Sequence, residues 1–508
     1  MSSVRALSSF EKKLLLQSVD GLKNGTTFGA EYSTFKEGWS DEEATLLTVK
    51  DSRLCLGLLT KALENLIKKH IELFLTINEQ FEFEVLKKIK TSDVISTIQF
   101  DSFKDEKINC QLGAPPYLLR HIFNHDRFVP GSGKPLWKLY LLDDSLAFFH
   151  GQDCLFDVFS TANFHRLLLK EVNLLSSRPQ KWKKLDYVFK FGPDSMSEVK
   201  QLPKSIYDNP KLYIPTLNPD LFNLQTQSFF KSIYVNTVKK PIEFLTNTDV
   251  SFLSLNSNMK YNDILDINSK LCGNTVFGCV SNERFKYLNT IINQEGLCLK
   301  SFIVGIAMLC LKPMVKNLSG TVTFSIPVDL RSFVDEPRDF GLYYKDIRVE
   351  CPLSLIDDDK SKDCMKGASV SEEDFDEKLM EYQFKNITGF VRNHLEQRLT
   401  RFSKTGFNDD DIRRMKFDDK NTLGGSSNNG TFIQIYDTSL INVNEFGEPN
   451  SFMIRACNLT KSLNSEELMS LSYTYCEENG LNICIHYPEN YKMESFVECF
   501  QSFLEEGN

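Results

Sequence analysis

The 508-residue chain has little tryptophan and no surplus of positive charge. Three Trp against 40 Phe mean that the core is built largely from Phe and Leu. A formal net charge of −9 argues against a nucleic-acid protein, which would present a basic field. No two of the 13 cysteines are spaced CxxC, which disfavours zinc ribbons and thioredoxin-like sites. Scattered cysteines without a secretion signal read as reduced thiols of an intracellular protein. The N-terminus, MSSVRALSSFEKKLLLQ, lacks the continuous apolar stretch of a signal peptide. The longest apolar run, 302–311, is half the ~20 residues needed to span a bilayer. Gly and Pro are ordinary in number, and no repeat of solenoid period occurs. The histidines at 70, 121, 125, 150, 165, 394 and 486 are too dispersed for an obvious metal cluster. His121 and His125 share a helix face without a Glu between them, so no metal is expected.

What is present is a globular pattern, 41% hydrophobic and 25% charged. The spacing predicts a helix over 53–70, strand-like stretches over 80–100, and a strand pair, 136–142 and 146–151, turning at Asp143-Asp144. A helix follows over 160–175, with Ser160 or Thr161 as N-cap. From 176 to 245 the texture changes to prolines and weak periodicity, as in an interdomain linker. Beyond it come a strand (275–280), helices (283–293 and 298–317) and a strand (321–326). An acidic, exposed loop (357–378), a long helix (374–402), three strands (431–437, 451–457, 481–487) and a final helix (492–504) complete the chain. Helices and strands in both halves imply an α/β protein with mixed sheets and two domains, 1–200 and 246–508, joined by 201–245, with the site in the cleft between them. Val4, Leu7, Phe10, Leu14 and Leu15 fall on one helical face, suited to core docking or to a surface. Phe496, Phe500, Phe503 and Leu504 form a similar face.

Two motif-like strings fail on context. PGSGKPLW (130–137) lacks P-loop spacing, and Pro135 follows its lysine. Asp339-Phe340-Gly341 has neither of the other kinase signatures and reads as chance.

One stretch stands out: FFHGQDCLFDVFSTANFHRLLL, residues 148–169, an apolar strand, a Phe-Asp step and a helix. With SIPVDLRSF (325–333), SNNGTF (427–432) and GLNICIHYPE (480–489), it resembles the fungal alcohol O-acetyltransferase family of the coenzyme-A-dependent acyltransferase superfamily, whose signature is HHxxxDG. The resemblance implies a two-domain acyltransferase-like fold with a channel between the domains. It also implies acetyl transfer from acetyl-CoA to a small-molecule alcohol, giving an ester, or to an amine, without a metal. It further implies a monomer, cytoplasmic or held peripherally on the endoplasmic reticulum or lipid droplets. In that signature a histidine takes the proton of the acceptor. The aspartate is architectural and pairs with a second-domain arginine; the matching residues are Asp157 and Arg331.

The sequence departs from the signature at three positions. Gln152-Asp153 stands where His-His belongs, and Val158 where Gly belongs. Asp153 therefore occupies the catalytic position. His150, ~10 Å upstream along a strand and on its opposite face, is a poor substitute. It reads as a packed strand residue, as His165 does in the next helix. Cys154, beside the motif, reads as buried packing. Two outcomes remain open: an acyltransferase working through Asp153 or substrate assistance, or a non-catalytic relative that binds a ligand or partner.

Overall fold

The computed structural model describes residues 3–19, 23–34, 54–99, 116–177, 182–193, 195, 204–208, 273–315, 320–334, 337–365, 375–406, 431–447, 451–463, 467–488 and 493–505. Most of the expected linker and all of 427–430 lie outside them.

The strands are β1 (Ser3–Ala6), β2 (Thr26–Thr34), β3 (Leu75–Ile77), β4 (Glu82–Val85), β5 (Lys88–Lys90), β6 (Ile95–Ile98), β7 (Trp137–Leu142), β8 (Leu146–Gly151), β9 (Tyr187–Lys190), β10 (Gly273–Val280), β11 (Thr321–Asp329), β12 (Tyr344–Pro352), β13 (Thr431–Asp437), β14 (Phe452–Lys461), β15 (Glu467–Cys476) and β16 (Gly480–Pro488). The helices used below are α1 (Ser9–Val19), α2 (Leu56–Lys69), α3 (Thr91–Val94), α4 (Pro116–His125), α5 (Val158–Ser176), α6 (Asn282–Gln294), α7 (Leu299–Leu311), α8 (Asp358–Cys364), α9 (Phe375–Thr405) and α10 (Glu494–Glu505).

Two mixed sheets carry the architecture. The first has the order β14-β2-β8-β7-β6, antiparallel except for the β6–β7 pair. Its core gathers Phe28, Phe149, Phe156 and Phe164 with Leu59 and Leu63 of α2. The second has the order β10-β16-β15-β13-β11-β12, parallel at β15–β13 and β13–β11. Its apolar face, with Phe324, Ile326, Ile433, Ile435 and Leu471, packs on α7, α9 and α10 in a second core. Asp143 and Asp144 both take positive φ, 49° and 58°, which makes the β7–β8 connection a tight two-residue turn.

Strand β14 comes from the C-terminal half yet completes the N-terminal sheet by pairing with β2. Its outer edge rests on β15, whose side chains satisfy its carbonyls in sequence. Ser470 Oγ donates to the Lys461 carbonyl, Ser472 Oγ to that of Leu459, Thr474 Oγ1 to that of Cys457 at 2.8 Å, and Cys476 Sγ to that of Ile454. A sheet edge that would otherwise be buried unpaired is thus closed by a ladder of side chains. The pattern of β15 does not announce a strand for the same reason. Its alternation of apolar and hydroxyl residues has no solvent face, because the hydroxyls work inside.

Several local expectations shift. The α5 helix begins at Val158, and its N-cap is Asp157, not Ser160 or Thr161. The 357–378 stretch contains α8 in its described part. Val4 lies in β1 rather than on a helix with Phe10, and both pack on the first core. Phe496, Phe500, Phe503 and Leu504 are buried in the second core and present no face to a membrane. No single described helix is long and apolar enough to cross one.

Candidate functional site

Asp157 ends the loop after β8, and its position at the start of α5 gives it two tasks. As N-cap it accepts from Ser160 N and Ser160 Oγ, each at 2.7 Å, through Oδ1. As a charge it receives both arms of Arg331: Nη2 to Oδ1 at 3.1 Å and Nη1 to Oδ2 at 3.2 Å. Tyr343 N adds a third partner to Oδ2 at 2.9 Å. The pair joins the α5 start to the β11–β12 connection of the second half. Burial alone would lower the Arg331 pKa, but Asp157 and Asp329 hold it above its ordinary value.

The same connection continues as a strap. Arg331 Nε donates to the Arg338 carbonyl at 2.9 Å, and Asn163 Nδ2 to that of Asp339 at 3.1 Å. Arg338 pairs with Glu72, Arg166 with Asp339, and Phe340 is fully buried against Phe156 and His70. Gly341, at φ 131°, donates its N–H to Ser160 Oγ at 3.1 Å. Asp339-Phe340-Gly341 has a structural role here, separate from any kinase motif. It docks one half of the molecule on the other.

Asp153 has a different environment, and nothing in its sequence neighbourhood announces it. Its Oδ1 accepts from Lys461 Nζ at 2.8 Å and from Thr26 Oγ1 at 2.8 Å, while Lys461 Nζ also donates to Thr26 Oγ1 at 2.8 Å. Lys23 Nζ lies 3.9 Å from Oδ2 and 3.8 Å from Glu467 Oε1. Lys461 lies over the Tyr436 ring, 5.4 Å from its centroid. All four charged groups are buried, so the cluster is two lysines neutralised by two carboxylates. It draws on the loop before β2, the loop after β8, the last residue of β14 and the first of β15. Gly25, between Lys23 and Thr26, takes φ 70°, and a Cβ there would stand 2.4 Å from the Gly151 carbonyl.

The electrostatics fix the ionisation of this carboxylate. Burial alone would raise the Asp153 pKa; Lys461 and Lys23 outweigh it and hold the carboxyl below its usual value. Burial and the like charge of Lys23 bear on Lys461 in the opposite sense, which depresses its pKa. The 2.8 Å contact and the shared Thr26 hydroxyl favour the ionised pair.

The other motif positions are structural in their surroundings. Gln152 Oε1 accepts from Asp153 N at 2.7 Å, and its Nε2 has no partner. Val158 takes ordinary helical backbone, so a glycine's freedom is not needed at that position. Cys154 is fully buried, and burial, with Glu11 and Asp153 nearby, pushes its thiol well above the usual range, away from nucleophilic chemistry. His150 is buried with Nδ1 3.0 Å from Thr27 Oγ1, and burial brings its pKa to about 4. His165 Nε2 donates to the Phe28 carbonyl at 2.9 Å, so its Nδ1 accepts from Tyr32 OH, also at 2.9 Å.

Lys23, Thr26, Lys461 and Glu467 were not legible as site residues. Lys461 is 308 positions from Asp153. The one available signal was the aspartate itself, since a buried carboxylate calls for a cation.

Among solved structures, the chain is similar to the first condensation domain of the calcium-dependent antibiotic synthetase, at 13% identity and TM-score 0.54, over 99% of this chain and 96% of the other. It is also similar to the trichothecene 15-O-acetyltransferase of Fusarium sporotrichioides, at 12% identity and TM-score 0.52, over 98% and 95%. These likenesses are of fold. In sequence it is 50% identical to PSTB2-interacting protein 1 of Saccharomyces cerevisiae, over 99% of this chain and all of that one. The alcohol acetyltransferase family profile matches residues 82–345, just over half the chain and the span that holds the Asp157–Arg331 clamp and the strap. This chain belongs to the alcohol acetyltransferase family.

Proposed function

We propose that this chain is a non-catalytic family member that holds a ligand or partner through the channel between its two halves. One observation carries the reading: the carboxylate at the catalytic position is hydrogen-bonded to Lys461 and Thr26, with Lys23 3.9 Å from its other oxygen. A general base must accept a proton from the acceptor hydroxyl. An ionised Asp153 whose pKa lies below the ordinary carboxylate range is a poor acceptor, and an ammonium fills the space beside it. The acceleration a positioned base contributes, typically 10²–10⁴-fold, is absent from this site. The full-length relative at 50% identity is named for an interaction and not for a reaction, which supports the reading.

The test is direct. Purified protein is incubated with acetyl-CoA and a panel of medium-chain alcohols, and free thiol is followed. Release at the no-protein rate is expected, unchanged in Asp153→Ala. Turnover that disappears in Asp153→Ala would overturn the reading.

A second reading is favoured by the family profile: acetyl transfer from acetyl-CoA to an alcohol, with proximity supplied by the channel and the proton taken by the substrate or by Asp153. It predicts thiol release that depends on the alcohol.

A further inference from the structure

The second sheet has an unusual inner face. On β11, β13 and β12 the residues Phe324, Ile326, Ile433, Ile435, Ile347 and Val349 point into the second core. Their alternates therefore point the other way, toward the first half. Tyr436, one of these alternates, belongs to the first core, which fixes the direction. Three more are polar groups with spare capacity. Ser325 is 1% exposed and its Oγ has no hydrogen-bond partner. Gln434, its neighbour across the parallel β11–β13 pair, has a buried Oε1 without a partner. Asp346 lies one diagonal step from Ser325 across the antiparallel β11–β12 pair, where Ser325 stands opposite Arg348.

Asp346 is the distinctive member. Its side chain is exposed, and it stands within charge–charge range of Arg348 first, then of the buried Lys23, Lys461 and Glu467. The strand register puts Asp346 on the sheet face turned toward the first half, and its charge is felt by the lysines of the Asp153 cluster. The four charges of that cluster balance one another, and Arg348, two residues on along β12, is the nearest cation in effect on Asp346 without a direct ion pair to it. Among the described residues Asp346 has no hydrogen-bond or ion-pair partner. A ligand packed on this face would strand the carboxylate unless it brought a donor of its own.

We propose that the channel binds a protonated primary amine, its ammonium held by the Asp346 carboxylate, Ser325 Oγ and Gln434 Oε1. Three N–H donors meet three acceptors on adjacent strands, and strands ~4.8 Å apart bring their inward side chains within reach of one small group. The Tyr436 and Tyr344 rings, on the same face, suit the apolar part of such a molecule next to the charge. This deepens the binding reading above and rests on it.

The experiment measures binding of n-hexylamine and n-hexanol to the full chain at pH 7 by isothermal titration calorimetry, with acetyl-CoA turnover followed separately. The amine is expected to bind at least about tenfold more tightly than the alcohol. Asp346→Asn, on an exposed side chain, is expected to remove that preference and leave hexanol binding unchanged. Ser325→Ala is expected to weaken the amine about threefold to tenfold. Equal affinity for amine and alcohol, or an amine affinity unaltered in Asp346→Asn, would overturn the site. Amine-dependent release of free thiol would leave the site standing and overturn only the non-catalytic reading.

Discussion

The Asp153–Lys461 pair predicts an asymmetric response to mutation. Removing one member of a buried ion pair costs about 3–5 kcal/mol, because the other is left uncompensated. The two removals are not equivalent here. Lys461→Met leaves Asp153 with the Thr26 hydroxyl at 2.8 Å and Lys23 at 3.9 Å, so the carboxylate keeps a cation. Asp153→Asn leaves Lys461 and Lys23 with Glu467, and with Asp346 only at longer range. The lysine variant should therefore fall near or below the bottom of that range, about 2–3 kcal/mol, and the aspartate variant near its top. The double variant should cost less than the sum by at least about 1 kcal/mol, because it removes both charges together. Urea midpoints of the two single variants and the double, taken with wild type in one series, give the comparison. Additive losses, or a lysine variant worse than the aspartate one, would show that the buried pair is not what the geometry indicates.

Further outcomes follow from other parts of the fold. Asp157→Asn should lower the urea midpoint strongly, and Arg331→Gln added to it should contribute little more; additivity would refute the clamp. Asp153→His alone should not yield thiol release from acetyl-CoA, because Lys461 and Lys23 would surround the new imidazole and keep a proton off it. His150, His165 and His486 are buried, and burial lowers their pKa values to about 4, 3 and 4. The unfolded chain takes up those protons near pH 6.5, so the stability due to the neutral rings is present above that pH and is lost as pH falls toward 4. Acid unfolding followed by circular dichroism should therefore begin below about pH 6, and His165→Gln should shift it to lower pH. Ser472→Ala with Thr474→Val should leave two β14 carbonyls unpaired, at about 1–3 kcal/mol each, and should speed amide exchange along β14 relative to β8.

Much of the frame could be read from residue spacing. The β7–β8 pair lies within a residue of its expected bounds, and its Asp143-Asp144 turn is where the sequence placed it. The α6 and α7 helices, the long α9 helix and the final helix are local patterns of period 3.6, and local patterns survive translation into structure. What was hidden is non-local. β15 alternates apolar and polar residues because its hydroxyls serve another strand's edge. β14 crosses to the other sheet, which no linear division of the chain can express. The strap residues 338–341 and the cation of the Asp153 cluster act on partners more than 150 positions away. Such pairings are set by topology, and one sequence gives no pointer to them.

Asp153 and Asp157 are the same residue type four positions apart, and the fold gives them opposite meanings. Asp157 meets donors from backbone, hydroxyl and guanidinium groups, all of which belong to the junction of the two halves. That set would be needed whether or not any reaction took place. Asp153 meets two lysines, at the position where the sequence resemblance implies a base. Charge balance ties these positions together. A histidine at 153 cannot take up the acceptor's proton beside two buried ammonium groups unless a lysine also goes, and a lysine at 461 cannot be buried without the carboxylate. The catalytic position and its surroundings must therefore change as a set. The Lys23–Asp153–Lys461–Glu467 cluster is such a set, complete and self-neutralised, built into the same acyltransferase frame that the Asp157–Arg331 clamp holds closed.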